Sequence, residues 1–221
     1  MQISRLRPSL AAALILTLAG CSSAYYGAME KIGFAKRDIL VDRVEETREA
    51  QAEAKDQFAS ALERFIAVTG ADVGELQSRY DALNRELKRS ETRAKEVRDR
   101  IASVEDVADA LFREWKDEIG QYTNARLKSE SRRQYDATRR RYEELIRLMR
   151  RAADRMDPVL ATFRDQVLFL KHNLNARAIA SLSATHEELQ GDITRLIRDM
   201  EASIKEADEF IQSLRSTEPV Q

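Results

Sequence analysis

The sequence predicts an all-α protein: an elongated antiparallel coiled coil, or helical-hairpin bundle, of about four helices. Three observations carry that expectation. Charged residues are 34% of the 221 and nearly balanced, whereas aromatics are 6% with only seven Gly and three Pro. This composition lacks the raw material of β-rich and collagen-like folds and matches long helices. At 43% hydrophobic the chain is too apolar for disorder. Apolar side chains also recur with alternating spacings of four and three, the heptad rhythm of helices packed along a seam.

The first element is a leader. Arg5 and Arg7 precede an apolar stretch from Leu10 to Leu18, too short to span a bilayer, which takes about 20 residues. Leu18, Ala19, Gly20 and Cys21 follow and resemble the bacterial lipobox, at which the cysteine thiol is lipidated and the chain is cut just before it. The alternatives are a buried free thiol or an ordinary secretory leader. On the lipobox reading, residues 1–20 are a lipoprotein signal peptide, 21–26 a lipidated tether, 27–215 a single elongated helical domain and 216–221 a flexible tail. Stable anchoring takes at least two acyl chains, so lipidation of this kind implies permanent attachment to a membrane. Ser22, rather than Asp, after the cysteine is compatible with sorting to the outer membrane, facing the periplasm. Cys21 is the only cysteine, which excludes an intrachain disulfide and the Cys-based zinc sites.

Four seams follow. The first comprises Leu40, Val44, Thr47, Gln51, Ala54, Phe58, Ala61, Phe65 and Val68, locally weakened by Thr47 and Gln51. The second begins at Leu76 and keeps strict alternation through Tyr80, Leu83, Leu87, Ser90, Ala94, Val97, Ile101, Val104, Ala108, Leu111 and Trp115. The third runs from Tyr135 through Thr138, Tyr142, Leu145, Met149, Ala152, Met156 and Val159 to Phe163. The fourth runs from Leu189 through Ile193, Leu196, Met200, Ser203, Ala207 and Phe210 to Leu214.

Corners are read from capping chemistry. Gly70 suits a helix C-terminus, and Asp72 with Glu75 forms a capping-box pattern for the next helix. The middle corner is expected at residues 128–131, with Ser131 and Gln134 as its box, and Gly120 is the other candidate. The last corner is expected after Ser181–Ala184, with Thr185 and Glu188 as the box. Pro158 predicts a kink rather than a reversal, because the apolar rhythm resumes through Leu160, Phe163, Val167, Leu170, Leu174, Ala178 and Leu182.

Charge is segregated. Residues 126–155 hold eleven Lys or Arg against five acids, and 186–209 hold eight acids against three bases, so these helices have complementary flanks. Arg132, Arg133, Arg139, Arg140, Arg141, Arg150 and Arg151 alternatively form a face for an anionic partner such as lipid headgroups. Few aromatics interleave with them and the net charge is −1, so no nucleic-acid partner is expected. Phosphate-binding glycine loops, the GxSxG elbow and HExxH are absent, and the only histidines are His172 and His186. The sequence therefore predicts no catalytic residue, no metal, no cofactor and no small-molecule substrate.

Two stretches are more distinctive than a generic coil: Tyr25 to Val41, which opens Tyr25-Tyr26-Gly27, and Asp165 to Ile179, which holds Lys171, His172, Asn173, Asn175 and Arg177. Tyr25 and Tyr26 suit the edge of a bilayer or a plain tether. The Asn pair and its basic neighbours predict either a register contact in a seam or a partner-docking patch. Together with the lipobox, these stretches resemble a family of bacterial coiled-coil lipoproteins catalogued only as a domain of unknown function. That resemblance implies a helical fold and an envelope location and brings no activity or ligand. The expected function is a lipid-anchored periplasmic scaffold, spacer or docking protein, binding another protein or itself through a helix face. The alternative is a self-oligomerising membrane-binding protein that uses the basic face.

Overall fold

A computed structural model describes residues 36–69, 75–173 and 175–216. It contains four long α-helices: α1 (Lys36–Thr69), α2 (Leu76–Gln121), α3 (Ala125–His172) and α4 (Ala176–Arg215). Each packs on two neighbours, α1 on α2 and α4, and α3 on α2 and α4, which closes an antiparallel four-helix bundle. At 1.5 Å per residue, the 48 residues of α3 make a rod about 72 Å long.

The seams are the reason for the bundle. All nine positions of the first seam are buried, Thr47 and Gln51 included, as are all eight of the fourth. In α2, Leu76, Leu83, Leu87, Ser90, Ala94, Val97, Ile101, Val104 and Ala108 are buried, and Tyr80, Leu111 and Trp115 pack at the margin. In α3, burial runs from Tyr135 to Leu170. Large side chains fill the bundle where four helices leave most space. Phe65 of α1 meets Phe163 of α3 edge-on across the core, their centroids 6.1 Å apart. A second aromatic group joins α2 to α3: Phe112 lies 5.7 Å from Tyr135 and 5.4 Å from Tyr142, and Trp115 lies 5.7 Å from Tyr135. Full burial of such rings stabilises by roughly 1.5–3 kcal/mol each, with about 0.5–1.5 kcal/mol more for a well-oriented pair.

Ion pairs run along each of the four interfaces and follow its antiparallel register. Lys36–Glu114, Arg100–Glu46 and Arg93–Glu53 link α1 to α2 at 3.0, 2.5 and 2.6 Å. Arg150–Glu105 at 2.6 Å and Arg98–Asp157 link α2 to α3. Asp199 takes both Arg151 and Arg155, so the complementary flanks of α3 and α4 do meet. Arg48–Asp208 at 3.1 Å and Arg215–Glu45 at 3.3 Å close the ring between α4 and α1.

Two corners depart from expectation. The turn between α2 and α3 occupies residues 122–124, not 128–131. Asn124 is the cap, its side-chain oxygen accepting from the backbone N–H groups of Arg126 and Leu127 at 3.0 and 3.2 Å. Ser131 lies inside α3, where its Oγ accepts from Trp115 Nε1 at 2.9 Å. Ile119 before the turn is buried, whereas Tyr122 and Leu127, which flank it, are exposed.

The last corner lies at residues 173–175, about ten residues before the expected one, and Thr185 and Glu188 are interior to α4. Exposed polar residues on a helix surface reproduce the box spacing without forming a cap. Asn173 ends α3, its backbone N–H donating to the Leu170 carbonyl at 3.2 Å and its side-chain nitrogen to the Phe169 carbonyl at 2.9 Å. The first corner falls where expected, between Thr69 and Leu76, although Gly70 and Asp72 lie outside the described residues. Glu75 makes no capping bond; its carboxylate takes Arg79 at 2.8 Å. Pro158 sits on the exposed side of α3, which runs through it without a break.

Candidate functional site

The basic residues of α3 divide into two groups. Toward the middle of the helix the guanidinium groups face carboxylates of the bundle: Arg139 pairs with Glu143 at 3.0 Å, Arg147 with Glu144, Arg150 with Glu105, and Arg151 and Arg155 with Asp199. The Glu143 carboxylate, with a further hydrogen bond to Tyr135, raises Arg139 above its ordinary value, and Glu105 does the same for Arg150. Hydrogen bonds from Arg147 hold Glu144 below the usual carboxylate range. An open groove on α3 is lined by Ile146, Pro158, Asp154 and the arginines Arg147, Arg150, Arg151 and Arg155, all four of which already face carboxylates. The bases Arg132, Arg133, Arg140 and Arg141, in the first half of α3, differ. Arg132 lies 5.9 Å over the Tyr135 ring, Arg133 pairs with Glu130, and Arg140 and Arg141 are exposed with no ion pair among the described residues.

The second cluster forms the corner between α3 and α4. Lys171 and His172 close the last turn of α3, where positive charge suits the carbonyl end of the dipole. Asn175 receives the Arg177 backbone N–H on its side-chain oxygen at 3.0 Å, and its own N–H donates to the Asn173 carbonyl at 2.8 Å. These bonds are local to the corner, so the register contact expected of this Asn pair is replaced by capping. Lys171, His172, Asn175 and Arg177 are exposed there.

The polar register contact lies elsewhere. Ser203 Oγ of α4 donates to Gln51 Oε1 of α1 at 2.9 Å, in full burial, and Gln51 Nε2 has no partner among the described residues. Thr47 Oγ1 donates to the Arg43 carbonyl at 2.7 Å. Between α1 and α2, Gln57 Nε2 donates to the buried Glu86 at 2.8 Å. The signal was present in the sequence as the polar exceptions Thr47, Gln51, Ser90 and Ser203 within otherwise apolar seams.

A third feature is the α2–α3 hairpin tip. Lys36, where the described chain enters the bundle, pairs with Glu114, yet α2 continues to Gln121 before the turn. The tip carries Tyr122 and Leu127, 41% and 47% exposed, beside exposed Arg126 and Lys128.

Among the described residues no group of three His, Cys, Asp or Glu is placed to hold a metal ion, and no helix is long and apolar enough to cross a membrane. The lipobox residues Leu18, Ala19, Gly20 and Cys21, and Tyr25 and Tyr26, lie outside the described residues.

A family model described as a protein of unknown function, DUF2959, matches residues 25–214. The chain belongs to the DUF2959 family. The match takes in all four helices of the bundle and reaches back to Tyr25, so the DUF2959 unit includes the first distinctive stretch as well as the α3–α4 corner. No curated protein and no solved structure matches this DUF2959 chain.

Proposed function

We propose that this DUF2959 protein is a lipid-anchored, non-catalytic scaffold or spacer of the bacterial envelope. It is held through Cys21, in the outer membrane facing the periplasm, and docks another envelope protein or a second copy through a helix face. The observation that carries this reading is the run from Arg5 and Arg7 through the apolar stretch to Leu18-Ala19-Gly20-Cys21, directly ahead of the family-matched region. The bundle supports it by its form: long seams zipped into a closed rod hold two ends about 70 Å apart, which is what a spacer requires. Mass spectrometry of the mature amino terminus tests the anchor. A diacylglyceryl-modified Cys21 as first residue is expected, with release of the Cys21→Ala chain from membranes. An unmodified thiol within an uncut chain overturns the reading. Crosslinking in intact cells then distinguishes a heterologous partner from self-assembly.

The second reading, a self-oligomerising membrane-binding protein acting through the basic face, is favoured only by Arg132, Arg140 and Arg141, which are exposed on the first half of α3. Arg139, Arg150 and Arg151 serve the bundle itself. Co-sedimentation of the unlipidated chain with anionic liposomes at low salt tests it; absence of binding eliminates it.

A further inference from the structure

We infer that the α2–α3 hairpin tip rests on the bilayer surface, meeting anionic phospholipid headgroups through its bases while Tyr122 and Leu127 enter the interfacial layer. This inference rests on the Cys21 anchor of the proposed function and adds to it the orientation of the rod.

Topology supplies the first argument. In an antiparallel four-helix bundle, the amino-terminal end of α1, the α2–α3 turn and the carboxyl-terminal end of α4 lie at one end. Lys36 pairs with Glu114 of α2, and Arg215 of α4 reaches only to Glu45 of α1. From Glu114 the second helix continues to Gln121, and α3 returns from Ala125. The hairpin therefore projects further along the axis, at the end where the chain arrives from Cys21, than the described parts of α1 and α4. Fourteen residues lie between Cys21 and Lys36, a span that even fully extended reaches only about 50 Å. The tip thus projects past the point where the described chain joins the rod, at the end tethered to the anchored lipid.

The chemistry of the tip supplies the second. Tyr122 and Leu127 are two of the three large apolar side chains left exposed among the described residues; the third, Leu168, lies near the opposite end. Tyrosine favours the headgroup level because its ring is apolar and its hydroxyl is wet. Between residues 122 and 133 stand Arg126, Lys128, Arg132 and Arg133 against the single acid Glu130, which Arg133 engages. Asp117, Glu118 and Asp136 are exposed on the flanks, so attraction to anionic headgroups is confined to the turn and the first turns of α3. The tip is also stiff. Trp115 Nε1 donates to Ser131, Tyr135 meets both Phe112 and Trp115 edge-to-face, and Arg139 lies 5.3 Å over Phe112. A rigid hairpin presents its turn without the entropy cost of ordering a loop.

Trp115 is the chain's only tryptophan, which makes the test direct. The lipidated full-length mature protein is reconstituted into vesicles of phosphatidylethanolamine and phosphatidylglycerol with brominated acyl chains, and two reporters are compared in a Trp115→Phe background: Tyr122→Trp at the tip and Leu168→Trp at the far end. Native Trp115 is read in parallel, so the test survives if a double variant does not fold. Flotation of the native chain with vesicles, lost in Cys21→Ser, checks the anchor separately. The expected result is at least twofold quenching of the Tyr122→Trp reporter, measurable quenching of Trp115 and none of the Leu168→Trp reporter. Reversing Arg126, Lys128, Arg132 and Arg133 to Glu, or replacing the anionic lipid by phosphatidylcholine, is expected to abolish the quenching without loss of flotation. Flotation without tip quenching overturns the inference and leaves the anchor standing. Quenching indifferent to charge reversal and lipid charge overturns headgroup recognition, and a tip reporter already shielded without vesicles shows that another part of the chain covers it, which also overturns the inference. Failure to float overturns the anchor and the inference with it.

Discussion

Gln51 carries a carboxamide into a largely apolar core, and Ser203 answers only half of it. A buried amide left without a partner costs about 1–3 kcal/mol, whereas replacing both members by apolar groups is close to neutral. Ser203→Ala is therefore expected to destabilise by about 1–3 kcal/mol, and Gln51→Leu with Ser203→Ala to recover most of that loss. Urea denaturation of the four members of the cycle reads the coupling; additive effects would show that the contact carries no specificity. Tyr142 makes a second residue-scale case. Burial, with Glu105 and Asp109 nearby, pushes its hydroxyl up to about 12, so the folded state favours the neutral phenol. The unfolded chain ionises near 10, which means this stabilisation is complete below pH 10 and disappears as the pH rises toward 12. Denaturation midpoints between pH 9 and 12 should fall more steeply for the native protein than for Tyr142→Phe, and parallel curves would contradict this assignment.

At the scale of the element, the helix bodies and the first corner were legible in the sequence and the other two corners were not. A heptad seam needs only that apolar side chains repeat, and every seam position from Leu40 to Val68 and from Leu189 to Leu214 is buried. Corners depend on single residues, and two of them are made by asparagine rather than by glycine or a Ser/Thr box. Asn173 and Asn175 stood out in the sequence as chemistry, whereas Asn124 fits neither the glycine nor the Ser/Thr-box pattern from which the middle corner was read. Asn124→Ala removes two accepted N–H bonds and is expected to cost about 1 kcal/mol, read as a lower melting temperature. Pro158 gives the opposite sign. The helix-interior penalty of ~3 kcal/mol exceeds the ~0.4–1 kcal/mol gained by stiffening the unfolded chain, so Pro158→Ala should stabilise by about 2 kcal/mol. A loss of stability in the same melting experiment would show that the proline serves α3 in another way.

The whole molecule draws its stability from one continuous core and its shape from the charges around it. Phe163 meets Phe65 across the bundle, so Phe163→Ala is expected to cost about 3–5 kcal/mol and to unfold all four helices together rather than one hairpin. Exposed ion pairs add only about 0–1 kcal/mol each, but their positions select the antiparallel register of every interface. This scale also separates what was readable about function. The basic run of α3 was evident in sequence, whereas its division into arginines bound to bundle carboxylates and bases exposed near the tip depends on packing that no single stretch reveals.

Small-angle scattering of the unlipidated mature chain tests the closed antiparallel rod most directly. At dilutions where the chain is monomeric, the account predicts a cross-section of about 20 Å and a radius of gyration of about 22 Å, as expected for a cylinder about 72 Å long. A radius of about 16 Å, that of a compact globule of this length, or a thinner particle of twice the length formed by two opened chains, would contradict it.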